Sequence, residues 1–120
     1  MKTCLVVDDS SVIRKVARRI LERLEFEIAE AEDGEQALVQ AAKHRPDLIL
    51  MDIQLPLLDG YEVTRRIKAD PALMAIPIIV VTSYALSGDE EKARAAGCDA
   101  YVAKPFSPRA LLAKIREYVA

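Results

Sequence analysis

The chain has no apolar run approaching the roughly 20 residues that a membrane-spanning helix needs. No membrane association is expected. The opening Met1-Lys2-Thr3-Cys4-Leu5-Val6-Val7-Asp8-Asp9 has too short an apolar stretch for a secretory signal. A cytoplasmic location follows as the default. There are only two cysteines, Cys4 and Cys98, and they lack metal-site spacing. Unpaired, partly buried thiols are the expected state. The net charge of −2 gives no global reason to expect nucleic-acid binding. No glycine-rich loop of the nucleotide-binding kind occurs, which disfavours an ATPase or a flavoprotein. Repeats, low-complexity segments and linkers are also missing. At 120 residues the chain fits one domain, 1–120, and its hydrophobic content of 52% is enough for an ordinary core.

What the chain does have is an alternation of strand and helix signals, repeated five times. Strands are read at 3–8, 26–31, 47–52, 77–82 and 99–103. Helices are read from about Ser11 to Leu24, Glu35 to His44, 60–69, Ser87-Gly88-Asp89 to Ala96, and, after a Ser107 cap, to the terminus. Arg45-Pro46 ends the second helix, because the residue before proline avoids the helical region. Gly97 reads as a C-cap. The runs Leu48-Ile49-Leu50-Met51 and Ile78-Ile79-Val80-Val81 are continuously apolar, as in strands buried on both faces. Helices must then cover both sides of a parallel sheet. The second strand is the most polar and belongs at an edge.

The strands end in chemistry. The first runs into Asp8-Asp9, the third into Asp52, the fourth into Thr82-Ser83 and the fifth into Lys104-Pro105. In an open parallel sheet these ends share one edge, where ligands bind. Three acids, a hydroxyl and a lysine should therefore meet in one pocket. Three close negative charges need a cation, and all-oxygen ligands suit Mg²⁺.

With those residues placed, the chain resembles the receiver domain of two-component response regulators over its whole length. The resemblance rests on Asp8-Asp9, Asp52, Pro56-Leu57-Leu58-Asp59-Gly60, Thr82, and Tyr101-Val102-Ala103-Lys104-Pro105, each in order and on the right element. It implies a flavodoxin-like (βα)₅ fold, doubly wound, with strand order 2-1-3-4-5. It implies that Asp52 takes a phosphoryl group from the phosphohistidine of a histidine kinase or histidine phosphotransfer protein. Asp9, Asp52 and the backbone carbonyl of Gln54 would hold Mg²⁺ directly, with Asp8 acting mainly through a water. Lys104 and Thr82 would contact phosphoryl oxygens, and Lys104–Pro105 would be a cis peptide. Thr82 and Tyr101 would form the switch. The lone His44 sits at a helix end, where positive charge is favourable, and nothing around it resembles a phosphodonor.

Further expectations are local. Gln54 and Tyr84 could overhang the site and restrict attacking water. The basic face of the first helix, Arg14 included, is either solvated or a docking surface for the phosphodonor, together with Val12, Phe106 and Pro108. Charges on the last two helices are either solvated or pair across a homodimer that also uses the last strand. Output must pass to an unidentified protein rather than to DNA. Met1 just before the first strand favours a stand-alone regulator, although a receiver cut from a larger regulator or hybrid kinase reads the same. An Mg²⁺-dependent phosphohydrolase with an aspartyl-phosphate intermediate is the different-class alternative.

Overall fold

A computed structural model describes residues 1–82, 88–104 and 106–119. The elements alternate along the chain: β1 (Thr3–Val7), α1 (Ser11–Glu22), β2 (Glu27–Ala31), α2 (Gly34–His44), β3 (Leu48–Met51), α3 (Gly60–Ala69), β4 (Ile78–Thr82), α4 (Asp89–Ala96), β5 (Ala100–Ala103) and α5 (Pro108–Tyr118). The strands form one sheet in the order β2-β1-β3-β4-β5. Every neighbouring pair is parallel. The polar β2 lies at the edge, as its composition implied.

Alternation along each strand divides the core into two layers, because successive side chains point to opposite faces. Cys4, Val6, Leu48, Leu50, Ile79, Val81 and Ala100 face α1 and α5, meeting Ala17, Ile20, Leu21, Leu111 and Ile115. Leu5, Val7, Ile49, Met51, Ile78 and Val80 face the other side, meeting Ala37 and Ala41 of α2, Val63 and Ile67 of α3, and Ala93 of α4. Each fully buried Leu or Ile contributes roughly 1.5–3 kcal/mol. Both cysteines are free and buried.

Helix starts follow side-chain capping. Ser10, Asp33, Asp59 and Ser107 accept hydrogen bonds from Ile13, Gln36, Glu62 and Ala110 N–H groups respectively. α2 thus begins at Gly34, one residue earlier than expected, because Asp33 is its cap. α1 ends at Glu22, two residues early. Leu24 still packs on the core, and Glu25 turns the chain at φ 61°. α4 differs from these helices. It has eight residues, starts after Gly88 at φ 92° without a side-chain cap, and buries only Ala93 and Ala96. The expected Ser87 contribution to its start lies outside the described residues.

One close approach ties the fold to the strand ends. A Cβ on Gly60 would lie 2.2 Å from the Asp52 carbonyl oxygen and 2.8 Å from the Ile53 Cα. The Gly60 N–H also donates to the Ile53 carbonyl at 2.9 Å. The first turn of α3 therefore rests on the backbone that leaves β3. Gly60→Ala is expected to destabilise the protein by about 1–3 kcal/mol, the usual range for overpacking. Urea unfolding reads this directly, and an unchanged midpoint would mean that the two backbones do not meet.

Candidate functional site

Sheet register brings the acids together. Val7 is paired with Met51, so Asp8 and Asp52 leave adjacent strands side by side. The Asp52 N–H donates to the Val7 carbonyl at 2.9 Å. On the other side Thr82 is paired with Ala103, which puts Lys104 one residue beyond the sheet. Its backbone N–H donates to the Thr82 carbonyl at 2.7 Å. Its side chain reaches across β4 and β3, with Nζ 2.6 Å from Asp8 Oδ2 and 3.6 Å from Asp52 Oδ2.

Asp8 and Asp52 are buried, whereas Asp9 is exposed. One carboxylate oxygen from each of the three lies within 4.8 Å of the others. Asp8 is heavily engaged: Oδ1 accepts the Ser10 N–H at 2.9 Å while Oδ2 holds Lys104. Burial, and then the Asp8 carboxylate, push the Asp52 carboxyl from its ordinary value near 3.8 up to about 6. Lys104 and the backbone N–H groups of Gln54 and Ile53 oppose that rise. Thr82 is buried at the end of β4.

The donor set fits a hard divalent cation. It is all oxygen, it is negatively charged, and one member opens to solvent, which suits Mg²⁺ with its retained waters. Asp9 is the exposed member, and both Asp8 oxygens already have partners. Gln54 is exposed two residues past Asp52. Tyr84 and Pro105, and so the Lys104–Pro105 peptide, lie outside the described residues.

The other expected residues divide. Tyr101 is half-buried on β5, paired with Val80 and packed against the α2–α4 side of the core. Val12 is 66% exposed. Pro108 is exposed, whereas Phe106 is half-buried against the α1–α5 layer. Phe106 helps line a cavity of about 10 Å³, with Asp8 and Asp52 also in its wall. Arg14 departs from the basic solvent face assigned to it. Its side chain is only 14% exposed and is bound within the molecule. Nε meets Glu30 Oε1 at 2.9 Å, and Nη1 donates to the Asp8 carbonyl at 2.7 Å. Arg18 joins the same carboxylate at 2.6 Å. These two arginines, the Arg18 hydrogen bond foremost, hold Glu30 below the usual carboxylate range. In the last two helices, Arg94 pairs with Glu90 and Lys114 with Glu117, each within its own helix.

Residues 4–116 match the family model described as the response regulator receiver domain. The chain belongs to this family. It is the receiver domain of a two-component response regulator. It is 43% identical to the polar-differentiation response regulator DivK of Brucella anthropi over 118 residues, 98% of this chain and 96% of that protein. Among solved structures it resembles the receiver domain of sensor histidine kinase PA1611 from Pseudomonas aeruginosa, with TM-score 0.90 and 38% identity over 98% of this chain and 96% of that one. That structure has a magnesium ion coordinated in its active-site cleft. The chemotaxis protein CheY4 of Vibrio cholerae has TM-score 0.92 and 29% identity, covering 99% of each chain.

Sequence reasoning passed over three participants. Ser10 and Glu30 were not singled out, and Gly60 entered only as the last residue of the Pro56–Gly60 motif. Capping spacing could have found Ser10. No local pattern points to Glu30 or to the approach of Gly60.

The Asp52 shift has a sign. Its carboxyl holds a proton to higher pH in the folded protein than in the unfolded chain. Its contribution to stability is therefore fully present below the unfolded value and is lost as pH rises through about 6. Asp52→Asn is expected to be about 1–3 kcal/mol more stable than wild type in metal-free buffer at about pH 7. The gap should close as pH falls toward about 4. Denaturant melts across that range test it, and equal stability at neutral pH would contradict the assigned cause.

Proposed function

We propose that Asp52 accepts a phosphoryl group from the phosphohistidine of a histidine kinase or histidine phosphotransfer protein. The transfer then alters the face around Tyr101, α4 and α5. The observation that carries this reading is the Asp52 carboxylate itself: buried at a strand end, beside a lysine and two further acids. One Asp52 oxygen attacks phosphorus as the P–N bond to the donor imidazole breaks. An acyl phosphate forms and the imidazole leaves. Such transfer depends on positioning and charge neutralisation.

Mg²⁺, held by Asp9, Asp52 and the Gln54 carbonyl with Asp8 acting indirectly, supplies that neutralisation when bound. Lys104 does the same from the protein side. Its ammonium is 3.6 Å from Asp52 and is released from Asp8 to meet a phosphoryl oxygen as a point charge. The backbone N–H groups of Gln54 and Ile53 favour the charged form of the Asp52 carboxylate. Thr82 offers its hydroxyl to the phosphoryl group. The backbone bond between Thr82 and Lys104 lets movement at one strand end reach the other. Tyr101, three residues before Lys104, takes up that movement.

In this reading the whole chain, 1–120, works as one cytoplasmic receiver. Val12 and Pro108 offer exposed contacts to the donor near the site, with Phe106 behind them. Output passes through protein contact, with homodimerisation through α4, β5 and α5 as one route. The chain is a signalling domain that assists its own phosphorylation and dephosphorylation.

Intact mass after incubation with Mg²⁺ and acetyl phosphate tests the acceptor. Wild type should gain one phosphoryl group, and Asp52→Asn none. An equal adduct on the variant would move the acceptor elsewhere. Rapid consumption of acetyl phosphate with no persistent adduct would instead favour a phosphohydrolase.

A further inference from the structure

We propose that Arg14 is a positioning residue for the divalent-cation site. By holding the Asp8 carbonyl it fixes the turn that presents Asp8 and Asp9. This inference rests on the reading that the acidic cluster holds Mg²⁺.

The Asp8 peptide groups are tied to the β2 side at both ends. The Asp8 N–H donates directly to the Ala31 carbonyl at 3.1 Å. The Asp8 carbonyl lies beyond the last residue of β1, and Arg14 Nη1 occupies it at 2.7 Å. The same guanidinium is fixed to β2 through Glu30 at 2.9 Å, with Glu32 at 3.7 Å from its other terminal nitrogen. Arg18 holds the far oxygen of Glu30, so that carboxylate cannot swing away without breaking two charge-assisted contacts.

Asp9 shows why this matters. Among the described residues its carboxylate has no hydrogen bond or ion pair, so only its backbone places it. The carbonyl that Arg14 holds belongs to the peptide joining Asp8 to Asp9. Rotation of that peptide would carry the Asp9 carboxylate away from Asp52. A planar guanidinium can address a carbonyl and a carboxylate at once in fixed geometry, which an ammonium cannot reproduce. Partners that orient metal ligands typically change metal affinity by about 10–100-fold when removed.

The test is the Mg²⁺-dependent rise in Tm of the purified protein, read as an apparent Kd. Wild type is compared with Arg14→Ala, Arg14→Lys, Glu30→Gln and Asp9→Asn. Arg14→Ala should weaken Mg²⁺ binding by about tenfold. Glu30→Gln should weaken it less, and Arg14→Lys should restore it only in part. Phosphorylation by acetyl phosphate, a donor that needs no docking, should require more Mg²⁺ in Arg14→Ala yet reach the wild-type rate at saturation. Unchanged Mg²⁺ affinity in Arg14→Ala, with slower transfer from a histidine phosphodonor, would make Arg14 a docking residue and overturn the proposal. If Arg14→Ala does not fold, Glu30→Gln decides by the same titration. Undiminished Mg²⁺ affinity in Asp9→Asn would overturn the underlying assignment of the metal to this cluster.

Discussion

Everything at the active edge depends on a charge imbalance. Three carboxylates share a few ångströms and the chain supplies one ammonium to the buried pair. Lys104 bonds Asp8 closely and Asp52 loosely. Asp52 therefore remains the less satisfied acid, raised in pKa by burial and by its neighbour. A group in that condition gains from anything that brings positive charge or removes its own negative charge. The chemistry of the site follows from leaving one carboxylate underpaid, and the rest of the fold maintains that arrangement.

Maintenance is distributed across elements far apart in the chain. β1 and β3 set the spacing of Asp8 and Asp52 through their register. β4 and β5 set where Lys104 leaves the sheet. α3 rests its first glycine against the Asp52 carbonyl, so the end of β3 cannot shift without moving that helix. The arginine pair on α1 closes the other side through Glu30. The strand registers, Gly60 and the Arg14 bond to the Asp8 carbonyl all act on backbone, and so place the carboxylates without touching the Asp9 oxygens.

Much of this was legible in the sequence, for a physical reason. β1, β3 and β4 are buried on both faces, so each is an uninterrupted apolar run, and a charged or hydroxyl residue at its end stands out. Parallel connectivity then puts those ends on one edge without further information. The caps of α1, α2, α3 and α5 were likewise local, written in Ser10, Asp33, Asp59 and Ser107. The inward turn of Arg14 was not. Its partner Glu30 is sixteen residues away, and the two meet only because β2 lies beside β1. Nor does any pattern around Gly60 announce that its missing Cβ makes room for the Asp52 carbonyl. Tertiary approach decides both, and single-element periodicity carries no trace of it.

The weak attachment of α4 has a consequence of its own. α2, α3 and α5 have ten or eleven residues and a side-chain bond closing the first turn. α4 has eight, no such bond, and two alanine methyl groups as its buried contacts. Few apolar contacts and an uncapped start define a segment that opens locally at low free energy. In amide hydrogen exchange α4 is expected to open before the sheet beneath it. α5, by contrast, starts with a side-chain cap and buries Leu111 and Ile115, so displacing it costs more than displacing α4.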